Sequence, residues 1–143
     1  MALLAEEVAA VLARAKALAH ETRSDLVGYE HLIVALLVDR NSATELLAQL
    51  DKKPRLLGEQ VLAGMDRGRG VVEKGHRPYS TRFKLLLEAA MSEAHILGQE
   101  PARCSHLLLA ALVVAEGNCA RVFNDAALTV DLWRTALTSP NAA

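Results

Sequence analysis

Four of the five histidines fall into two matched pairs, His20 with His95 and His31 with His106, each pair 75 residues apart. Imidazoles can bind a metal or move protons, but a metal needs them to converge. No H-x-x-x-H spacing places two on one helix face, and the only acids that recur at the same offset are Asp25 and Glu100. No metal centre is expected. His31 and His106 each open an apolar run, where ring nitrogens can tie loop backbone across the fold. His76 is expected to be solvated. Cys104 and Cys119 have no neighbour in sequence that marks an activated thiol, and the serines have none that marks a nucleophile. Two free, buried thiols in a reducing compartment are expected, and no catalytic residue. The remaining candidates for binding chemistry are Glu30, Ser80, Arg82 and Ser105. Glu30 also suits a helix's first turn, where the macrodipole favours an acid, and Ser80 suits a helix cap.

The histidine offset belongs to a longer repetition. Residues 8–38 and 83–113 align without a gap: Leu12 meets Leu87, Ala15 meets Ala90, Ala35 meets Ala110, and Leu37-Val38 meets Leu112-Val113. Two copies are too few for a solenoid and predict a globule of two pseudo-two-fold-related halves. Apolar spacing places a first helix over about 6–21 and a second, apolar nearly all round, from Tyr29 through Val38. Asn41-Ser42 caps a third over 43–50, and Pro54 opens a fourth that runs through Leu62. Ser80 caps a fifth over 81–97, followed by helices over 104–115, 118–126 and 130–137. The fold class is all-α, eight helices in two four-helix repeats. The boundaries are repeat one at about 3–63, a Gly-rich charged joint at 64–78, and repeat two at about 79–138, within a single domain of residues 1–143. Leu37 and Leu112, at matching places in the two most apolar helices, are expected to be fully buried.

Composition agrees with close-packed helices: 52% of residues are hydrophobic but only 3% aromatic. A chain of 143 residues buries roughly 70% of its unfolded surface, so it needs no metal or disulfide as a staple. A net charge of −1 supplies no field to recruit nucleic acid or an acidic membrane. The joint's Arg67, Arg69, Lys74 and Arg77 are interrupted by Asp66 and Glu73 and make only a weak basic patch. The N-terminus has no basic region before its apolar residues, so it does not read as a signal peptide. The longest apolar stretch, 107–115, is too short to span a bilayer. A cytoplasmic monomer without cofactor is expected.

The motifs then carry a family resemblance. Gly28-Tyr29-Glu30-His31-Leu32-Ile33-Val34-Ala35-Leu36-Leu37 resembles the Glu-His-Leu-Leu-Leu-Ala-Leu signature of the Clp N-terminal repeat, and Ser105-His106-Leu107-Leu108-Leu109-Ala110-Ala111-Leu112 repeats it. Pro78-Tyr79-Ser80-Thr81-Arg82 resembles the aromatic–hydroxyl–X–Arg start of that family's second repeat, most like its ClpC and ClpA branches. The resemblance covers about residues 3–138. It implies a non-catalytic module that binds protein adaptors or substrates for an AAA+ unfoldase and its peptidase. The chain has no G-x-x-x-x-G-K-[ST] to cradle ATP phosphates. Excised domain, free-standing accessory or decoy protein, and small helical stress protein holding a hydrophobic molecule are the readings left open.

Some ClpC members bind phosphoarginine at two symmetric sites, through a hydroxyl at the start of each repeat's first helix and the Glu of each Glu-His pair. Carried over residue by residue, the first half has Glu30 but Ala5 at the hydroxyl position. The second half has Ser80 but Ser105 at the glutamate position. With the pair taken within each half, each keeps one member, and Ser105→Glu is expected to restore a pair with Ser80.

Overall fold

Most of the chain's helices begin at a side-chain cap, a capping histidine or a proline, and half of them end where the backbone turns left-handed. A computed structural model describes residues 3–65 and 77–139, and among these every regular element is helical. The order is α1 (Glu6–Glu21), α2 (Tyr29–Val38), α3 (Ser42–Gln49), α4 (Pro54–Ala63), α5 (Thr81–Ile96), α6 (Cys104–Val114), α7 (Gly117–Asp125) and α8 (Val130–Thr138). Most of the joint expected at 64–78, including His76, lies outside the described residues.

Asn41 caps α3 by accepting from the N–H groups of Ala43 and Thr44 at 2.8 and 3.1 Å, while the Thr44 hydroxyl accepts from the Asn41 N–H at 2.9 Å. Ser80 and Thr129 cap α5 and α8 by accepting from Phe83 and Leu132. Arg23, Asp51, Gly98 and Ala127 carry positive φ just past α1, α3, α5 and α7. Each lets the following N–H reach back into the last turn, as Gln99 does to the Ala94 carbonyl at 2.8 Å.

Both apolar helices lie at the centre. Seven residues of α2, His31 through Leu37, are buried, as are eight of α6, Cys104 through Ala111. One continuous core joins the halves, from Val8 and Val11 through Phe83 and Leu86 to Trp133. Leu37 is fully buried, but Leu112 is only half-buried. The two halves cover these positions differently. In the first, Gly58 lets α4 approach α2 so closely that a Cβ there would lie 3.2 Å from the Cβ of Leu37. In the second, the matching position is Arg134, which reaches to Glu93 at 3.2 Å. The approach of α8 to α6 is looser than that of α4 to α2, and Leu112 is left partly uncovered. The register between halves is 75 through the start of α7 and 76 at the start of α8, because α7 is one residue longer than α3.

The halves exchange matched backbone bonds. Val27 N–H donates to Pro78 O and Ser80 N–H to Val27 O, both at 2.9 Å. Ala102 N–H donates to Leu3 O at 3.0 Å and Ala5 N–H to Ala102 O at 2.7 Å. These are the same two bonds with the halves reversed, which is the reciprocity a two-fold relation requires. Each half's opening residues therefore lie against the other half's second helix.

Candidate functional site in the cleft between two helix starts

That exchange decides which site residues meet. The bridge between Val27 and Tyr79 sets the start of α5 beside the start of α2. Glu30, Ser80, Thr81 and Arg82 line one open cleft of about 370 Å3, with Tyr29 on its wall and Met65 at its edge. Glu30 and Ser80, which the within-half pairing separates, thus share a site built across the two halves. Ser105 is not part of it. It lies at the equivalent far end, 2% exposed, and its carbonyl accepts from the Trp133 indole N–H at 2.8 Å. A glutamate introduced at Ser105 would therefore not meet Ser80.

Within the cleft, Ser80 Oγ accepts from the Phe83 N–H at 3.1 Å, so its hydroxyl hydrogen remains for another acceptor. The Arg82 guanidinium sits 5.0 Å from the centre of the Tyr29 ring and pairs with Glu116 just before α7. That pairing raises the Arg82 pKa further and lowers that of Glu116. Tyr79 stacks on Phe83 with ring centres 4.4 Å apart, fixing the approach to α5. Beneath the cleft, Cys119 Sγ lies 4.0 Å from a Glu30 carboxylate oxygen. Burial, then the Glu30 charge, pushes this thiol up to about 12, so it is protonated at neutral pH and no nucleophile. Cys104 is likewise buried and pushed upward by burial and Glu7. The cleft thus brings a carboxylate and a guanidinium together with two hydroxyls at a helix start. This arrangement complements a ligand that carries both a cationic and an anionic group.

The histidines do not enter this site. His31 Nδ1 accepts from the Gly28 N–H at 2.9 Å, which places its proton on Nε2, facing Thr22 Oγ1 at 2.9 Å and Ser24 Oγ at 3.2 Å. Thr22 donates in turn to the Leu18 carbonyl. His106 repeats the device, accepting from the Arg103 N–H at 2.9 Å and donating from Nε2 to Gln99 Oε1 at 2.8 Å. Both rings tie a helix start to the loop before it. His20 is exposed, and His95 pairs with Glu100 at the surface. Among the described residues no group of three or more His, Cys, Asp or Glu could hold a metal ion.

Sequence reasoning missed Tyr29 and Glu116 as partners of Arg82, and it missed Glu7. The repeat register does contain the signal for Glu7, since position 7 in the first half matches Arg82 in the second, a reversal of charge.

Comparison with known proteins agrees with this architecture. A crystal structure of the N-terminal domain of the caseinolytic protease-associated chaperone ClpD from Arabidopsis thaliana superposes with a TM-score of 0.67. The match covers 93% of this chain and 90% of that one at 18% identity, a likeness of fold. The negative regulator of genetic competence ClpC/MecB from Bacillus subtilis (strain 168) is 28% identical over 130 residues. That alignment takes in 90% of this chain but only 16% of the relative's length. The profile of the Clp repeat (R) N-terminal domain matches residues 3–138, and the chain belongs to that family.

Proposed function

We propose that this chain is a non-catalytic protein-interaction module that receives adaptors or substrates for a Clp-type unfoldase. The contact centre is the cleft of Glu30, Ser80 and Arg82, and its ligand is an arginine-phosphate-marked or Arg-rich protein segment. The observation that carries the reading is the meeting of Glu30 with Ser80 and Arg82 across the two halves. Glu30 would take the guanidinium, while Ser80, Thr81 and Arg82 would take the anionic group. The two free buried cysteines support a reducing, cytoplasmic setting. Among the described residues no single helix is long and apolar enough to cross a membrane.

Calorimetry with free phosphoarginine tests the site. Removing a charge-assisted bond costs about 1.5–3 kcal/mol, so Glu30→Ala should weaken binding roughly tenfold to a hundredfold. An absence of binding to the wild type would refute the ligand assignment.

The alternative of a hydrophobic-ligand carrier has one feature in its favour. An apolar cleft of about 310 Å3 lies between α3 and α8, lined by Leu46, Leu50, Leu132 and Ala136. A small apolar molecule retained in native mass spectra would favour it.

A further inference from the structure

The end of the molecule that mirrors the cleft is not an empty copy of it. Glu7, in the first turn of α1, matches Arg82 by register, yet the two side chains point in opposite senses. Arg82 turns outward to Glu116 and the Tyr29 ring. Glu7 turns inward. Its Oε1 accepts from the Ser42 backbone N–H at 2.9 Å, and its Oε2 accepts from the Ser42 hydroxyl at 2.5 Å and the Cys104 N–H at 2.7 Å. Ser42 Oγ accepts in turn from the Ser105 N–H at 3.0 Å. One carboxylate thus gathers donors at the starts of α3 and α6, which come from opposite halves. Burial alone would raise the Glu7 pKa, but the hydrogen bonds from Ser42 and Cys104 outweigh it and hold the carboxyl below its ordinary range. The group is therefore ionised at neutral pH.

We infer that this chain is a single-site module: the position equivalent to the cleft is filled by its own Glu7 carboxylate, so only the α2/α5 end is open to an anionic ligand group. The inference rests on the proposed reading of the open cleft for what binds there, but the sealing of the other end does not depend on it. The donors that could hold a second anion already hold Glu7. The position that would offer a guanidinium partner is the buried Ser105. Valency is thereby fixed in the fold, and a partner carrying two marked groups gains no chelate advantage from one copy of this chain.

Backbone amide shifts of the full chain, followed while phosphoarginine and then inorganic phosphate are added, test this directly. In the wild type, Tyr29, Glu30, Thr81 and Arg82 should move on adding phosphoarginine, while Ser42, Cys104 and Ser105 stay fixed with both probes. In Glu7→Ala the second set should show a saturable shift with phosphate. Saturable movement of Ser42, Cys104 and Ser105 in the wild type overturns the inference, as does a calorimetric stoichiometry of two phosphoarginines per chain. If neither set moves in the wild type but Glu7→Ala releases the second, the reading of the open cleft fails and the seal stands. Should Glu7→Ala fail to fold, Glu7→Ser, which vacates the same position but keeps a polar side chain in the first turn, should show the same phosphate response. No response in the folded variant overturns the inference.

Discussion

His31 and His106 show how a single residue type can serve the same local purpose in two unlike settings. Each accepts a backbone N–H three residues earlier, yet the second partner is Thr22 with Ser24 in one half and Gln99 in the other. Burial disfavours the charged ring in both, and in His106 nearby Arg103 adds to it, so the pKa falls to about 4 from an ordinary 6.5. The unfolded chain therefore binds a proton at His106 between pH 6.5 and 4 that the folded chain refuses. The contribution of His106 to stability is complete above pH 6.5 and is lost progressively as pH falls toward 4. Urea midpoints measured across that window should decline in the wild type. The slope should flatten in His106→Asn, whose side-chain oxygen can still accept the Arg103 N–H. A ring resonance of His106 that titrates near pH 6.5 would contradict this account. Glu7 adds a lower step with its own direction. Its folded pKa is depressed, so its stabilisation is present above the ordinary carboxylate range and disappears on acidification below it.

At the level of elements, the two halves differ most where α4 and α8 cover the central helices. Leu37→Ala should cost about 2–5 kcal/mol, the usual range for a fully buried leucine in a core that cannot collapse. Leu112→Ala should cost less, about 1–2 kcal/mol, because that side chain is already partly exposed to solvent. Equal losses in denaturant titrations would show that the covering by α8 is tighter than described. Gly58 gives a sharper test. Helix propensity alone favours Gly58→Ala by about 1 kcal/mol. Against this, the new Cβ would lie 3.0 Å from Val38 Cγ1 and 3.2 Å from the Leu37 Cβ, and overpacking of that kind costs about 1–3 kcal/mol. The expected outcome is net destabilisation; an increase in melting temperature would mean that α4 can shift outward at little cost. The eight helices were legible in the sequence because each carries its own apolar period and several, such as α3, α5 and α8, carry a cap. The half-burial of Leu112 was not, since it depends on how closely α8, which lies beyond α7 in the chain, packs across from it.

The whole molecule is organised by the exchange between halves, and this is also where sequence reasoning stopped short. A repeat offset identifies equivalent residues, but it does not say whether equivalents meet within a half or across the axis. Pairing Glu30 with Ala5 and Ser80 with Ser105 is the natural reading of two tandem copies, while the backbone bridges place Ser80 with Glu30 and Ala5 near α6. The same exchange predicts how the chain folds. Residues 3–65 depend on the other half for the partners of Leu3, Ala5 and Val27, for one of the Glu7 bonds, and for the part of the cover of α2 that α5 and α6 supply. A fragment of that size is marginal even with a complete core, since about 60% of its surface is all it could bury. The fragments 1–65 and 77–143, prepared separately, should therefore lack a cooperative thermal transition. Mixed together, they should recover helical circular dichroism and an ordered near-ultraviolet signal from Trp133, whose indole N–H is fixed on the Ser105 carbonyl. Cooperative unfolding of either fragment alone would show that each repeat is a self-sufficient unit and that the cross-half bonds only align them.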